Sequence, residues 1–315
     1  MARRLLKGHP VASISATATQ RSMGARQWGQ LFLLGAIWGG SFFFARVAVA
    51  EIDPFALVLF RVSIAAIALH IYLAWRGPSF RLALPHIGSF FILALLNNVI
   101  PFSLIFLGQT EIGAGLAAVL NATTPFWTML IANAATSDEK FSANKIAGIM
   151  LGIAGTAVMI GPGLLANIGG PVWAKFALIG AALSYGLANV FGKRFQQIPP
   201  AVVATGQMTA GTVIMIPVVL LLNVPLDVSG VSAPVLASVL ALALLSTAFA
   251  YILFFNLLGS AGATNTSLVT LIVPASAILL GIAFLGERLD LFELCGFALI
   301  ALGLVTVDGR ILRRR

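Results

Sequence analysis

The chain has 315 residues, of which 59% are hydrophobic and only 9% carry a charge. This balance lies far outside the range of soluble domains and indicates an integral membrane protein. The excess of 19 Lys and Arg over 10 Asp and Glu residues would suggest nucleic acid in a soluble domain. Here the charges lie between apolar runs, so we expect the lipid bilayer and a small-molecule substrate as partners, and no nucleic acid.

Several function classes are excluded by motifs that the sequence lacks. One cysteine, Cys295, cannot form an internal disulfide framework, and the three histidines are too far apart for a local metal motif. No Gly-x-x-x-x-Gly-Lys-[Ser/Thr] is present, which rules out an ATP-driven pump encoded in this chain. The residue patterns of intramembrane proteases and of channel filters are missing as well. We therefore expect no metal site and no enzyme activity.

Both ends of the chain are basic tails. Residues 1–27 contain five Arg and Lys residues and no acid, with a Ser/Thr/Ala-rich middle. This composition is similar to that of a transit peptide, but a disordered cytoplasmic tail is the simpler interpretation. Met23 is an alternative start. Residues 310–315 form the second basic tail, also expected in the cytoplasm.

Between the tails, ten apolar runs are separated by turn residues such as Asp53-Pro54 and Pro199-Pro200. Irregular backbone cannot face lipid, so each run is expected to be a helix. The sequence predicts an all-α membrane protein with ten transmembrane helices at about 30–49, 54–75, 86–108, 112–135, 143–161, 173–192, 199–222, 234–258, 263–285 and 290–308.

The positive residues predict the orientation of these helices. With the N-terminus in the cytoplasm, fifteen Lys and Arg residues lie in inside segments and three lie in outside segments. This bias favours cytoplasmic N- and C-termini. We expect the protein in the inner (plasma) membrane of a bacterium.

The two halves of the sequence resemble each other at a nearly constant offset of 146 to 149 residues. The clearest matches are Ala94-Leu95-Leu96 with Ala243-Leu244-Leu245, Gly113-Ala114 with Gly262-Ala263, Pro125 with Pro274, and Glu139-Lys140 with Glu287-Arg288. Five helices is an odd number, so the repeats at 28–162 and 163–309 are predicted to be inverted in the membrane. Inverted repeats are typical of carriers that work by alternating access.

Short motifs in both halves resemble the EamA-type branch of the drug/metabolite transporter superfamily. They are Leu33-Leu34-Gly35-Ala36-Ile37-Trp38-Gly39-Gly40-Ser41-Phe42, Leu59-Phe60-Arg61, and Pro274 followed by Leu285-Gly286-Glu287-Arg288-Leu289 with Gly296 and Gly303. The resemblance covers residues 30–308. It implies a ten-helix carrier that exports small metabolites such as amino acids, without a bound cofactor. Where the family usually has Gly-Glu-Arg in the first repeat, this chain has Asp138-Glu139-Lys140.

Pro125 and Pro274 fall near the middle of the fourth and ninth predicted spans. A proline inside a helix removes one hydrogen bond and frees a carbonyl group. We interpret the two as paired hinges that border the substrate cavity. The alternative is that they are ordinary membrane-helix prolines.

Polar residues inside the spans are the first set of candidate substrate-binding residues: Asn97, Asn98, Asn121, Thr124 and Thr270. A polar group in lipid is costly unless it is paired, so these side chains should face the protein interior. A single Ser or Thr is as easily a helix-helix contact as a ligand. The asparagines are the stronger candidates, because a carboxamide offers both donors and acceptors.

Aromatic residues form the second candidate set: Trp38, Phe102, Trp127, Tyr185 and Tyr251. Apolar walls with a few polar groups suit small amphipathic molecules, although core packing would explain the same residues. The indole N–H of a mid-span tryptophan needs an acceptor.

Arg61 lies well inside the second span, where an unpaired charge is expensive. It either binds a substrate carboxylate or has a structural role, in which it snorkels to the outer surface or pairs there with Glu51, Asp53 or Glu111. We favour the structural role, because the equivalent residue of the second half is the neutral Gln207. No acid lies deep in a span, which disfavours proton antiport of cationic drugs.

Glycines in the fifth and tenth spans predict close helix packing. These spans are expected to be peripheral supports or a homodimer contact, and a monomer is equally compatible. Taken together, the sequence predicts an exporter of small metabolites, foremost hydrophobic, aromatic or other neutral amino acids. The alternatives are efflux of drugs or nucleosides, or flipping of a lipid-linked carrier.

Overall fold

The computed structural model describes residues 23–160, 171–276 and 291–308, and within these ranges the chain is helical without any strand. The helical segments in chain order are α1 (Ala25–Ala48), α2 (Pro54–Arg76), α3 (Phe80–Glu111), α4 (Ala114–Asn121 and Thr124–Ala135), α5 (Ala143–Ile160), α6 (Val172–Gly192), α7 (Pro200–Leu221), α8 (Ala233–Ala261), α9 (Ala263–Ser267 and 269–276) and α10 (Leu291–Asp308).

Six of these segments are long and apolar enough to cross a membrane, and they fall three in each half: α1, α2, α3, α6, α7 and α8. The remaining segments are shorter, interrupted, or end at the limits of the described ranges. The all-helical membrane architecture is therefore confirmed for the described residues, and the count of ten spans stays a prediction.

Local sequence explains where helices begin. The carboxylate of Asp53 accepts hydrogen bonds from the backbone N–H groups of Phe55 (2.8 Å) and Ala56 (3.4 Å) and so caps α2. Pro54 occupies the first turn, where its missing N–H costs nothing. This turn sets the start of the helix that carries Arg61.

Two stretches of π-helix interrupt α3 and α8 at equivalent positions of the two halves. They cover Leu95–Val99 and Ala241–Phe249. In the second, the hydroxyl of Thr247 donates to the carbonyl oxygen of Leu242, five residues earlier, at 2.7 Å. The sequence analysis predicts uninterrupted helices here. Widened turns of this kind are frequent at functional sites, and these two carry Asn97-Asn98 and Ser246-Thr247.

A hinge at Pro125 in the middle of a helix would interrupt α4 at that residue. The structure shows no interruption there. The helix breaks at residues 122–123, and Pro125 lies in the first turn of the next segment. A proline there sacrifices no helical hydrogen bond. In α9 the break is at Leu268, six residues before Pro274, so the two breaks are not at equivalent positions. The role of both prolines as hinges stays a prediction.

Helices α5 and α10 pack mainly on each other. Their glycines make this possible, since a Cβ atom at Gly148 would lie 2.5 Å from the carbonyl oxygen of Gly303, and one at Gly155 would lie 2.9 Å from that of Gly296. The prediction of close packing is thus met within one chain. These glycine faces are buried between α5 and α10, so they are not free to form a homodimer contact.

The two halves of the chain pack on each other through two equivalent pairs of helices. Helix α1 of the first half packs on α8 of the second, and α6 of the second half packs on α3 of the first. Helix α2 packs along α7, its counterpart. The interior of the protein therefore lies between the halves, and a site there is built from both.

Candidate functional site

A central cavity lies between the halves and encloses about 650 Å³ of empty space, its opening included. The cavity is lined by Trp38, Ser41, Phe42, Ala45, Arg61, Asn97, Phe102, Ile105, Phe106, Gln109, Asn121, Thr124, Tyr185, Asn189, Tyr251, Phe254, Ser267, Val269, Thr270 and Val273.

Eight of the ten predicted substrate-binding residues line this cavity: Trp38, Asn97, Phe102, Asn121, Thr124, Tyr185, Tyr251 and Thr270. They come from α1, α3, α4, α6, α8 and α9, and so from both halves. Asn98 and Trp127 are not among the lining residues. The structure thus brings most of the predicted set together at one place.

One wall of the cavity is aromatic. The ring of Trp38 lies 5.9 Å from that of Tyr251 and 5.7 Å from that of Phe254, measured between centroids. The indole N–H of Trp38 donates to the carbonyl oxygen of Ser246 at 3.0 Å, so it has the acceptor that a mid-span tryptophan needs. This bond holds α1 against the π-helical turn of α8.

The two adjacent asparagines of α3 have different roles. The hydroxyl of Tyr251 donates to the backbone oxygen of Asn97 (3.1 Å) and accepts from the amide of Asn98 (3.2 Å). The amide of Asn97 in turn donates to Gln207 at 3.2 Å. Asn98 is fully buried and outside the cavity wall, so it orients the Tyr251 side chain rather than facing the cavity. Its direct contact with substrate is not supported by this position.

The hydroxyl groups on α4 and α9 bond to their own helices. Thr124 donates to the carbonyl oxygen of Asn121 (2.6 Å), and Thr270 donates to that of Ser267 (2.9 Å). Thr128 receives a bond from Asn189 of α6 at 3.0 Å, which ties these two helices together. The hydroxyl protons of Thr124 and Thr270 are therefore used, and only oxygen lone pairs remain for a ligand.

Two amide oxygens in the cavity wall have no hydrogen-bond partner within the described residues. They are Oδ1 of Asn121 and Oε1 of Gln109, both on buried side chains. The amide nitrogen of Gln109 is held by the carbonyl oxygen of Phe42 at 3.1 Å. A buried acceptor without a donor is unfavourable. Both oxygens belong to cavity-lining residues, and a bound ammonium or hydroxyl group would supply the missing donor.

Arg61 lies in the cavity wall with only 5% of its surface exposed. Its Nε donates to the hydroxyl of Thr247 at 2.7 Å, and its guanidinium carbon lies 3.8 Å from the ring centroid of Phe102. The expected pairing with an acid near the outer surface is wrong, because no carboxylate of the described residues lies within ion-pair distance of Arg61. Two of the three candidate acids are engaged elsewhere, since Asp53 caps α2 and Glu51 binds Ser232.

Trp127 does not contribute to the cavity wall. Its ring packs edge-on against Phe126, with centroids 5.3 Å apart, and its Cβ lies close to Gly186 of α6. The indole N–H is buried without an acceptor within the described ranges. The position favours a packing role between α4 and α6 over the predicted contact with substrate.

Two amide residues of the cavity wall, Gln109 and Asn189, are not among the candidates predicted from sequence. Gln109 falls one residue beyond the predicted end of the third span, whereas α3 continues to Glu111. Asn189 lies inside the sixth predicted span and has the same signal that singled out Asn121, a single amide in an apolar run. No group of three or more His, Cys, Asp or Glu residues that could hold a metal is found in the described part of the chain.

A polar cluster centred on Glu139, called the tie below, joins the two halves. The carboxylate of Glu139, in the loop between α4 and α5, accepts from the backbone N–H groups of Ala263 and Thr264, both at 2.9 Å, and from the Thr264 hydroxyl. Gly262 precedes α9 with φ of +85°, and a Cβ atom there would lie 3.0 Å from the Glu139 carboxylate. Glycine therefore permits both the turn and the close approach.

Lys193, at the end of α6, completes this tie. Its ammonium lies 3.1 Å from Glu139 and 2.6 Å from Asp138. Burial raises the pKa of Glu139, but the hydrogen bonds from Thr264 and Ala263 together with Lys193 outweigh it and hold that pKa below its usual value. Asp138, which stands where the family usually has glycine, supplies a second carboxylate to Lys193.

Comparison with known proteins identifies the family. The model of the EamA-like transporter family matches the chain twice, at residues 27–161 and 172–307. The uncharacterized transporter YoaV of Bacillus subtilis is 25% identical, covering 85% of this chain and 91% of that protein. The uncharacterized inner membrane transporter YedA of Escherichia coli K12 is 26% identical, covering 89% and 90%.

A solved crystal structure shares the fold. It superposes with a TM-score of 0.73 at 19% identity and covers 94% of this chain and all of the other. The double match of the family model also accounts for the offset between the two halves. The chain is therefore an integral membrane protein of the EamA-like transporter family, within the drug/metabolite transporter superfamily, and contains two copies of the family's unit.

Proposed function

We propose that the protein is an inner-membrane exporter of small neutral or zwitterionic metabolites, foremost amino acids with apolar or aromatic side chains. The observation that carries this proposal is the central cavity, because both halves contribute to its aromatic wall and the first half adds two amide oxygens that have no donor among the described residues. Apolar walls with a few convergent polar groups suit such molecules. Buried donors and acceptors in the wall discriminate against ligands that leave them unpaired.

Alternating access between two inverted five-helix repeats is the proposed mechanism. The halves interlock through equivalent helices, α1 with α8 and α6 with α3, which supports an exchange of conformations between them. With both termini in the cytoplasm, the tie around Glu139 is on the inner side. The cavity wall extends to Ala45 and Gln109, near the ends of α1 and α3 that are then outermost. This arrangement corresponds to an outward-open state. The tie closes the cavity on the cytoplasmic side.

Counterflow of radiolabelled amino acids into proteoliposomes tests this proposal. We expect saturable counterflow for apolar and aromatic amino acids. Asn121→Leu should raise the half-saturating concentration about tenfold, because a polar ligand loses a buried hydrogen bond worth about 1.5 kcal/mol. If no amino acid shows counterflow, the amino-acid proposal is overturned. Nucleosides, drugs and lipid-linked carriers would then be tested.

Two tryptophan variants with the same chemical change locate the site. Trp38→Phe removes an indole from the cavity wall and should slow counterflow about tenfold, since it loses both area and the bond to Ser246. Trp127→Phe changes a residue outside the wall and should leave the rate within about twofold of wild type. Equal effects of the two variants would contradict a site in this cavity.

A further inference from the structure

We infer that the transported molecules carry an acidic group and that Arg61 binds it as a carboxylate. This inference rests on the proposed function of the cavity and adds a requirement to it. Its starting point is a charge without a counter-charge. The Arg61 guanidinium is buried in the cavity wall, and no carboxylate pairs with it within the described residues.

The contacts that Arg61 does make are too weak to compensate its charge. Within the described ranges it donates to the Thr247 hydroxyl at 2.7 Å and, at a long 3.5 Å, to the carbonyl oxygen of Ser246. The ring of Phe102 adds a cation–π contact. Such contacts orient a guanidinium, and an anion in the cavity would offset the hydration that this buried cation has lost.

The orientation leaves Nη1 of the guanidinium open to a ligand, while Nε and Nη2 face Thr247 and Ser246. Nε is held by Thr247, and Nη1 has no acceptor among the described residues. A guanidinium offers two parallel N–H groups that match the two oxygens of a carboxylate. Thr247 itself is fixed by the π-helical turn of α8, where its hydroxyl donates to Leu242. The π-helix therefore positions the arginine for a planar anion.

The polarity of the remaining wall supports a ligand with an acid at one end. The unpaired oxygens of Asn121 and Gln109 are acceptors and would repel a carboxylate while receiving an ammonium group. The residue equivalent to Arg61 in the second half is Gln207, which is neutral and bonds to Asn97. Only one half thus provides a cation here, so a zwitterion is bound in a single orientation.

Three related probes test the inference by binding, independently of transport: phenylalanine, phenylalaninamide and 3-phenylpropanoate. The measurement is the thermal unfolding midpoint of the purified full-length protein in detergent at increasing probe concentration. We expect phenylalanine and 3-phenylpropanoate to stabilise the wild type and phenylalaninamide, which lacks the carboxylate, to bind about tenfold to a hundredfold more weakly. This comparison needs no variant.

Variants then assign the effect to Arg61. Arg61→Gln should weaken binding of both acids about tenfold to a hundredfold, to the affinity of phenylalaninamide. Arg61→Lys keeps the positive charge but lacks the two parallel N–H groups of a guanidinium, so its affinity for the acids should lie between those of Arg61→Gln and the wild type. Equal binding of amide and acids to the wild type, unchanged binding of the acids to Arg61→Gln, or no stabilisation by either acid would overturn the inference. Binding of 3-phenylpropanoate without any amino-acid counterflow would support the carboxylate site while contradicting the amino-acid proposal.

Discussion

Alanine at Gly148 is expected to destabilise the protein by about 3 kcal/mol, by forcing α5 away from α10. The added Cβ atom would lie 2.5 Å from the carbonyl oxygen of Gly303 and 2.8 Å from the backbone nitrogen of Val307. Backbone atoms of a neighbouring helix cannot rotate away as a side chain can, so the helices must separate and lose their contact. Thermal unfolding of the purified protein in detergent measures the effect.

Gly88→Ala is the matched control for this substitution. It makes the same chemical change in the first turn of the Ile87–Ala94 stretch of α3, where an added Cβ atom has nothing within 4 Å. Because alanine is the better helix former by about 1 kcal/mol, the control should be neutral or stabilising. A Gly148→Ala protein as stable as the Gly88→Ala protein would show that α5 and α10 do not pack as described.

Glu139→Gln is expected to cost about 3 kcal/mol, the second large effect. The substitution removes the charge from a buried carboxylate that binds two backbone N–H groups of α9 and pairs with Lys193. Loss of one partner of a buried pair leaves Lys193 with only the exposed Asp138. Thermal unfolding in detergent at neutral pH again gives the measurement.

The neighbouring carboxylate provides the control. Asp138→Asn makes the same change on a side chain that is 61% exposed, so the cost should stay below about 1 kcal/mol. If Asp138→Asn destabilises the protein as much as Glu139→Gln, the tie does not depend on the buried carboxylate.

The acid dependence of stability follows from the same contacts. The pKa of Glu139 is lower in the folded protein than its ordinary value of 4.5. Its contribution to stability is therefore fully present above that ordinary value and is lost as the pH falls through the folded pKa. The wild type should lose stability in this acid range, and the Glu139→Gln variant should lose less. Parallel pH profiles of the two proteins would contradict this account.

The candidate site was only partly accessible to sequence reasoning. Asn121 and Trp38 could be singled out because a polar or indole group inside an apolar run must face the protein interior. Which of these groups meet in one cavity depends on helix rotation, and Trp127, one helical turn past the break in α4, turns toward Gly186 of α6 instead. Gln109 is not predicted, because the predicted third span ends one residue before it.

Partners of charged groups were the least predictable feature. The offset of the repeats shows that Glu139 has an equivalent, but not that its carboxylate caps α9 more than a hundred residues later. For Arg61, proximity along the chain suggested an acid near the outer surface. The fold instead brings Thr247 and Phe102 to it, and these contacts link three helices.

The amino-acid sequence by itself determined the membrane location, the helical architecture and the presence of two repeated halves. Composition and periodicity suffice for these, because lipid allows only backbones that satisfy their own hydrogen bonds. Tertiary structure alone decided the cavity and, among the described residues, the wall acceptors without a donor and the lack of a carboxylate partner for Arg61. The reason is that each of these is a property of several helices together, and helix rotation and π-helical turns are set by packing rather than by local sequence.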